Sequence, residues 1–388
     1  MKNLKKNVLM IATATLLVAC ASKPTCCNEG ESLDPEQFKT TIDNKPVQLY
    51  TLQNSNGMSV SITNYGGRVV SIIVPDKDGN PKDVVLGFDN IKNYADYENT
   101  PSDFGASIGR YANRIDHGKI TVDGKTIQLP TNNFGHCLHG GPVGWQYKVY
   151  DAALKNDSTL ELSLLSEDGD NNFPGNVKAT VIYTLKSDNS LDIAYHATTD
   201  KETVINMTNH SYFNLNGDAE KNVENCLLYI NADHFTPVDT TFMTTGEIRK
   251  VEGTPMDFRT PTAIGKDVNN FKDEQIKNGN GFDHNWCLNT YKDGKGDDTV
   301  IAASLYSPLT GINLDVYTNE PGIQVYVGNF LDGSVVGKKG VAYPKRGAIC
   351  LETQHFPNTP NQPEYPSCVV EPGQEYHSTC IYKFIVAE

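Results

Sequence analysis

The chain is short of positive charge. Its 388 residues carry 33 Lys and Arg against 47 Asp and Glu, a formal net charge of −14. That argues against nucleic-acid binding, which wants a basic face, and against electrostatic adhesion to anionic lipid. Among the nine cysteines no Cys-x-x-Cys pair occurs, so the spacing of a structural zinc site is missing. Long apolar runs are missing too. The N-terminal stretch Val8 to Ala19 has 12 residues, too short to span a bilayer comfortably. Helical periodicity is scarce, strands and helices do not alternate as βαβ units, and no fixed-period repeat is evident. These absences argue against a parallel sheet and against a propeller.

The N-terminus reads as a targeting segment. Lys2, Lys5 and Lys6 precede the apolar stretch, which closes on Leu17-Val18-Ala19-Cys20. This resembles a bacterial lipoprotein signal, in which the cysteine is lipidated and becomes the mature N-terminus. Residues 1–19 are therefore expected to be a signal peptide. Residues 20–36 are expected to be a lipidated N-terminus and flexible linker, rich in Ser, Pro, Asn, Glu and Gly and containing Cys26 and Cys27. The protein would be exported and held on a bacterial membrane by acyl chains on Cys20, facing the periplasm or cell exterior. Cys350 sits in the strand-like run Ala348-Ile349-Cys350-Leu351, which predicts buried free thiols for some of the remaining cysteines.

What the sequence has in abundance is strand and turn signals. Ser59 to Thr63, Thr159 to Leu164 and Leu191 to Tyr195 alternate polar and apolar residues, the period of half-buried strands. Lys119 to Leu129 reads as a hairpin turning at Asp123-Gly124, and Asp78-Gly79 turns back the run Val69 to Val74. Asn90 to Tyr97 predicts a short helix, and Ile264 to Ile276 a further turn or two. With 32 Gly and 20 Pro, the expectation is all-β: one large antiparallel β-sandwich domain over residues 37–388, with few short helices.

Chemistry concentrates in a few stretches. Thr208-Asn209-His210-Ser211-Tyr212-Phe213-Asn214-Leu215 sets a histidine among amides, hydroxyls and aromatics, and Leu351-Glu352-Thr353-Gln354-His355-Phe356-Pro357 supplies a carboxylate. A proton carrier and a carboxylate among groups that recognise hydroxyls suggest proton transfer on a carbohydrate. Five further stretches accompany them: Gly109 to Ile115, Leu138-His139-Gly140-Gly141, Phe173-Pro174-Gly175, Gly281 to Trp286 and Pro321 to Tyr326. In this order they resemble the aldose 1-epimerase (galactose mutarotase) family, from about Phe38 to the C-terminus.

The resemblance implies a galactose mutarotase-like β-sandwich with a sugar cleft on a concave sheet face. It implies Glu352 as general base and His210 as general acid. It also implies His139 near the ring oxygen, and Asn113, Arg114, Asp283 and Gln324 as binders of sugar hydroxyls. Interconverting anomers requires removing the C1 hydroxyl proton, protonating the ring oxygen and reversing both after rotation about C1–C2. No electrons move and no group is transferred, so the reaction needs neither cofactor nor metal. In the kcat/KM profile, the acid limb is expected to follow Glu352 gaining a proton and the basic limb His210 losing one. Aldose sugars are the expected partners, and a monomer the expected state. A glycoside hydrolase pairing Asp283 with Glu352, a non-catalytic glycan-binding lipoprotein, and a sugar-phosphate enzyme using Arg110 and Arg114 are the rival readings. His136 and His139, at i and i+3, have the spacing of metal ligands with a distant carboxylate, but Gly140-Gly141 and the strand-rich surroundings argue against it; Trp145 and Trp286 are assigned to the core.

Overall fold

The computed structural model describes residues 33–99 and 102–386. The expected signal peptide, Cys20, Cys26 and Cys27 lie outside the described residues. The first described element is a turn over Pro35–Phe38, capped by the Asp34 carboxylate, which accepts the Glu36 N–H at 3.0 Å. It seats Phe38 in the interior, beside Tyr94.

Strands dominate, as the period-two pattern requires. A nine-stranded antiparallel sheet runs Asp151–Asn156, Thr159–Ser166, Val177–Leu185, Ser190–Thr199, Glu375–Val386, Ile312–Thr318, Ala303–Tyr306, Leu227–Ile230 and Thr262–Ala263. Alternate residues such as Leu160, Leu162, Val181, Tyr183, Ile193 and Tyr195 are buried while their neighbours are not, so one face packs on the core. Opposite lies a six-stranded antiparallel sheet: Tyr212–Phe213, Ile349–Gln354, Gly322–Tyr326, Asp283–Cys287, His234–Thr236 and Arg249–Lys250. Leu49–Gln53, Ser59–Thr63, Arg68–Pro75 and Pro81–Asp83 form a four-stranded sheet, and its Val60, Ile62 and Ile72 share one hydrophobic cluster with residues of the other two. This is the antiparallel β-sandwich architecture.

The turn chemistry is as expected. Asp123 and Gly124, both at positive φ, join Lys119–Val122 to Lys125–Gln128. The Asp76 carboxylate accepts the N–H groups of Asp78 and Asn80 at 2.9 and 2.8 Å and so closes the Asp78-Gly79 turn. Only two α-helices occur among the described residues, Ile91–Ala95 and Glu274–Asn278, and no helix there is long and apolar enough to cross a membrane. Cys137, Cys226, Cys350, Cys368 and Cys380 are buried free thiols. Trp145 and Trp286 are core residues.

Candidate active site

The central strands of the six-stranded sheet are buried on both faces, and the two faces differ in chemistry. Ile349, Leu351, Ile323, Val325 and Trp286 point into the core. The alternate residues make polar rows on the other side. Asn285 pairs with Gln324, which pairs with Glu352; Asp283 pairs with Tyr326, which pairs with Cys350. Gln324 donates its amide N–H to Asp283 Oδ1 at 2.7 Å.

His210 reaches this face from a second direction. It ends the strand Thr208–His210, which pairs with Ala106–Ile108. Its ring stacks on Tyr212, 5.1 Å between centroids at 22°. Nε2 of His210 lies 3.5 Å from Oε1 of Glu352, and both side chains are buried. The imidazole of His139 stands nearly perpendicular to that of His210, with centroids 5.2 Å apart.

A backbone lock presents His139. Arg114–Ile115 pairs with Cys137–Leu138, which sets Asn113 beside His139. Both adopt positive φ, 66° and 50°. The His139 N–H donates to the Asn113 carbonyl at 3.1 Å, and the Asn113 N–H donates to His139 Nδ1, also at 3.1 Å. Nδ1 is therefore an acceptor and the ring proton sits on Nε2. Burial pushes the ring down to about 3, so His139 is a neutral hydrogen-bond donor. Gly140 permits the approach: a Cβ there would lie 2.3 Å from the Gly109 carbonyl oxygen. Arg114 is held by its Nε donating to Asn133 Oδ1 at 3.1 Å and by the face of Phe242, 5.1 Å from its guanidinium carbon.

All seven residues named from the sequence are thus placed, and all seven are buried. Asp103 was missed. Its carboxylate lies within 4.8 Å of ring nitrogens of His139 and His210, and nothing in Ser102-Asp103-Phe104 signals this. Cys350 was read only as a core thiol, yet it lies within 4.8 Å of His210 and Glu352 ligand atoms. Two other candidates are set aside by their partners. The Arg110 guanidinium donates to the Pro174 carbonyl and Ser166. His136 binds Asp116 and Thr241 rather than sharing a ligand with His139. A cavity of about 170 Å³ borders the site at Asp103, Tyr212 and Tyr326. The larger recess of about 730 Å³, between Asn214–Lys221 and Lys338–Tyr343, contains neither His210 nor Glu352.

Burial sets the protonation. It raises the Glu352 carboxyl well above its ordinary value, helped by Asp283 and Asp103 and opposed by Arg114. It lowers His210, with Asp103 opposing. Asp283 is raised by burial against the pull of Arg114 and Gln324. Burial thus moves the two groups toward each other from their ordinary values, and the pH limbs belong to the pair.

Residues 48–383 match the family model described as aldose 1-epimerase. The chain belongs to the aldose 1-epimerase family. It is 40% identical to galactose mutarotase of Bos taurus over 341 residues, 88% of this chain and 95% of that protein. It is 38% identical to aldose 1-epimerase of Escherichia coli K12 over 360 residues, 92% and 99% of the two chains. The crystal structure of galactose 1-epimerase from Lactobacillus acidophilus superposes with a TM-score of 0.78 at 30% identity, covering 92% of this chain and all of that one. The epimerase family resemblance read from seven short stretches is thereby established over nearly the whole described chain.

Proposed function

We propose that this chain is an aldose 1-epimerase that interconverts the α and β anomers of free hexoses such as glucose and galactose, with Glu352 as base and His210 as acid. The observation that carries the reading is the 3.5 Å approach of His210 Nε2 to Glu352 Oε1 on a buried polar sheet face. Ionised Glu352 takes the proton of the C1 hydroxyl while protonated His210 gives one to the ring oxygen. The ring opens and both groups become neutral, the state that burial favours. After rotation about C1–C2, His210 recovers its proton and Glu352 returns one to O1, in either face's sense. His139 donates through Nε2 toward the ring oxygen. Asn113, Arg114, Asp283 and Gln324 fix the hydroxyls, which supplies orientation as well as affinity. A glycosidase pairing Asp283 with Glu352 is disfavoured, because Gln324 already holds Asp283 and an imidazole faces Glu352.

Polarimetry of freshly dissolved α-galactose and α-glucose, corrected for spontaneous mutarotation, tests the reading. Anomer exchange no faster than buffer, from folded protein, would overturn it. We further propose that residues 37–388 act as one domain and as a monomer, exported and anchored through lipid on Cys20. Cys20→Ser should leave unprocessed precursor or release protein into the soluble fraction.

A further inference from the structure

We propose that Cys350, Glu352 and His210 form a soft-metal site inside the sugar cleft, at which Zn²⁺ inhibits anomer exchange. Cys350 and Glu352 are two residues apart on the strand Ile349–Gln354 and so share its polar face. His210 faces them from the strand Thr208–His210. One ligand atom from each of the three lies within 4.8 Å of the others, and the His210–Glu352 distance is 3.5 Å. Tetrahedral Zn²⁺, with bonds of about 2.0–2.3 Å, sets its ligand atoms roughly 3.3–3.8 Å apart, so modest side-chain rotation suffices. All three side chains are buried, and Glu352 Oε2 finds no hydrogen-bond partner among the described residues.

The charge balance favours this set. Starting from a thiol, a carboxyl and a neutral imidazole, binding Zn²⁺ forms Zn–S, Zn–O and Zn–N bonds and releases two protons. The thiolate and carboxylate then cancel the ion's charge within a buried pocket. Three protein ligands leave a fourth position open. The neighbouring set Asp103, His139 and His210 offers one anionic ligand and no sulfur, and leaves a net positive charge. A metal on Cys350, Glu352 and His210 removes the base and the acid together. It is an inhibitor and not a cofactor, and its effect on rate rests on the epimerase reading above.

The test uses the full chain in buffer free of thiols and chelators. Zn²⁺ should inhibit anomer exchange competitively with galactose, and Cys350→Ser should weaken that inhibition at least tenfold. In parallel, Co²⁺ should give a thiolate-to-metal charge-transfer band that galactose suppresses and Cys350→Ser abolishes. Should Cys350→Ser fail to fold, X-ray absorption of Zn²⁺-loaded wild-type protein must show one sulfur near 2.3 Å among lighter ligands, displaced by galactose. Inhibition undiminished in Cys350→Ser, a galactose-insensitive band, or a ligand shell without sulfur would each overturn the proposal. The Co²⁺ measurement needs no turnover, so a band without anomer exchange would sink the functional reading alone.

Discussion

Gln324 and Asp283, on adjacent strands and 41 residues apart in sequence, are joined by a 2.7 Å hydrogen bond on the polar sheet face. The bond occupies one N–H of Gln324 and one oxygen of Asp283, while Gln324 Oε1 has no partner among the described residues. Asp283→Asn preserves the size and can still accept from Gln324, but it removes the charge. We expect kcat/KM to fall on the order of 10–100-fold, the worth of a charge-assisted hydrogen bond, with KM raised and the Glu352 limb moved downward, because the Asp283 charge helps to raise that carboxyl. Polarimetry at several galactose concentrations checks this. An unchanged KM would show that Asp283 does not touch sugar.

Glu352→Gln and His210→Asn should each lower the rate by roughly 10²–10⁴. The double variant should lose less than the product of the two, since the groups act as a unit. The wild-type kcat/KM profile should be bell-shaped. The limb that follows His210 should fall below the ordinary imidazole value of 6.5, because burial lowers it. The limb that follows Glu352 should fall above the ordinary carboxyl value of 4.5, because burial raises it. Two folded single variants with near wild-type rates would end this mechanism.

Glu352 also costs stability. Its folded pKa is raised, so its contribution to folding is most favourable below the unfolded value of about 4.5 and is lost as pH rises toward the folded value. Glu352→Gln should therefore be more stable than wild type in alkaline buffer, by about 1.4 kcal/mol for each pH unit between those two values that the titration crosses. The difference should vanish below pH 4.5. Thermal melts across pH read it directly, and equal melting at pH 8 would contradict it.

Buried Glu320 and half-buried His355 form a second acid–imidazole pair. His355 Nδ1 lies 2.7 Å from Glu320 Oε2, and the Tyr376 hydroxyl donates to Glu320 Oε1 at 3.2 Å. Burial opposes both charges, yet His355 is raised by Glu320 and Glu320 is lowered by His355. The carboxylate's stabilisation is present above about pH 4.5 and lost as pH falls through its depressed value. The imidazole's is present below about 6.5 and lost as pH rises through its elevated value. The pair is thus strongest between those limits. Glu320→Gln should cost about 3–5 kcal/mol there, leaving the half-buried imidazole unpaired. Denaturant melts at pH 5.5 measure it, and a loss under 1 kcal/mol would refute the pairing.

Local signals survived into the structure where the cause was local. Asp123-Gly124 turns a hairpin because only small or αL-tolerant residues fit there, and Leu160 and Leu162 face inward because strand period is two. His210 and Glu352 were legible because their flanking stretches resemble a family, not because of spacing. Asp103, Cys350 as a cleft residue and the Glu320–His355 pair were not legible. Each depends on which strands lie side by side, a relation between segments up to some 250 residues apart that no local pattern encodes. The directions in which Glu352 and His210 are shifted were not legible for the same reason, since they follow from burial.

The strand Ile349–Gln354 is buried on both sides, with Leu351 in the core and Glu352 on the opposite, polar face. The proposed catalytic face and the hydrophobic interior are thus the two sides of one ribbon. Inserting or deleting a single residue ahead of Glu352 would rotate a leucine onto the polar face and drive a carboxylate into the core. Length in this strand is consequently far less negotiable than identity.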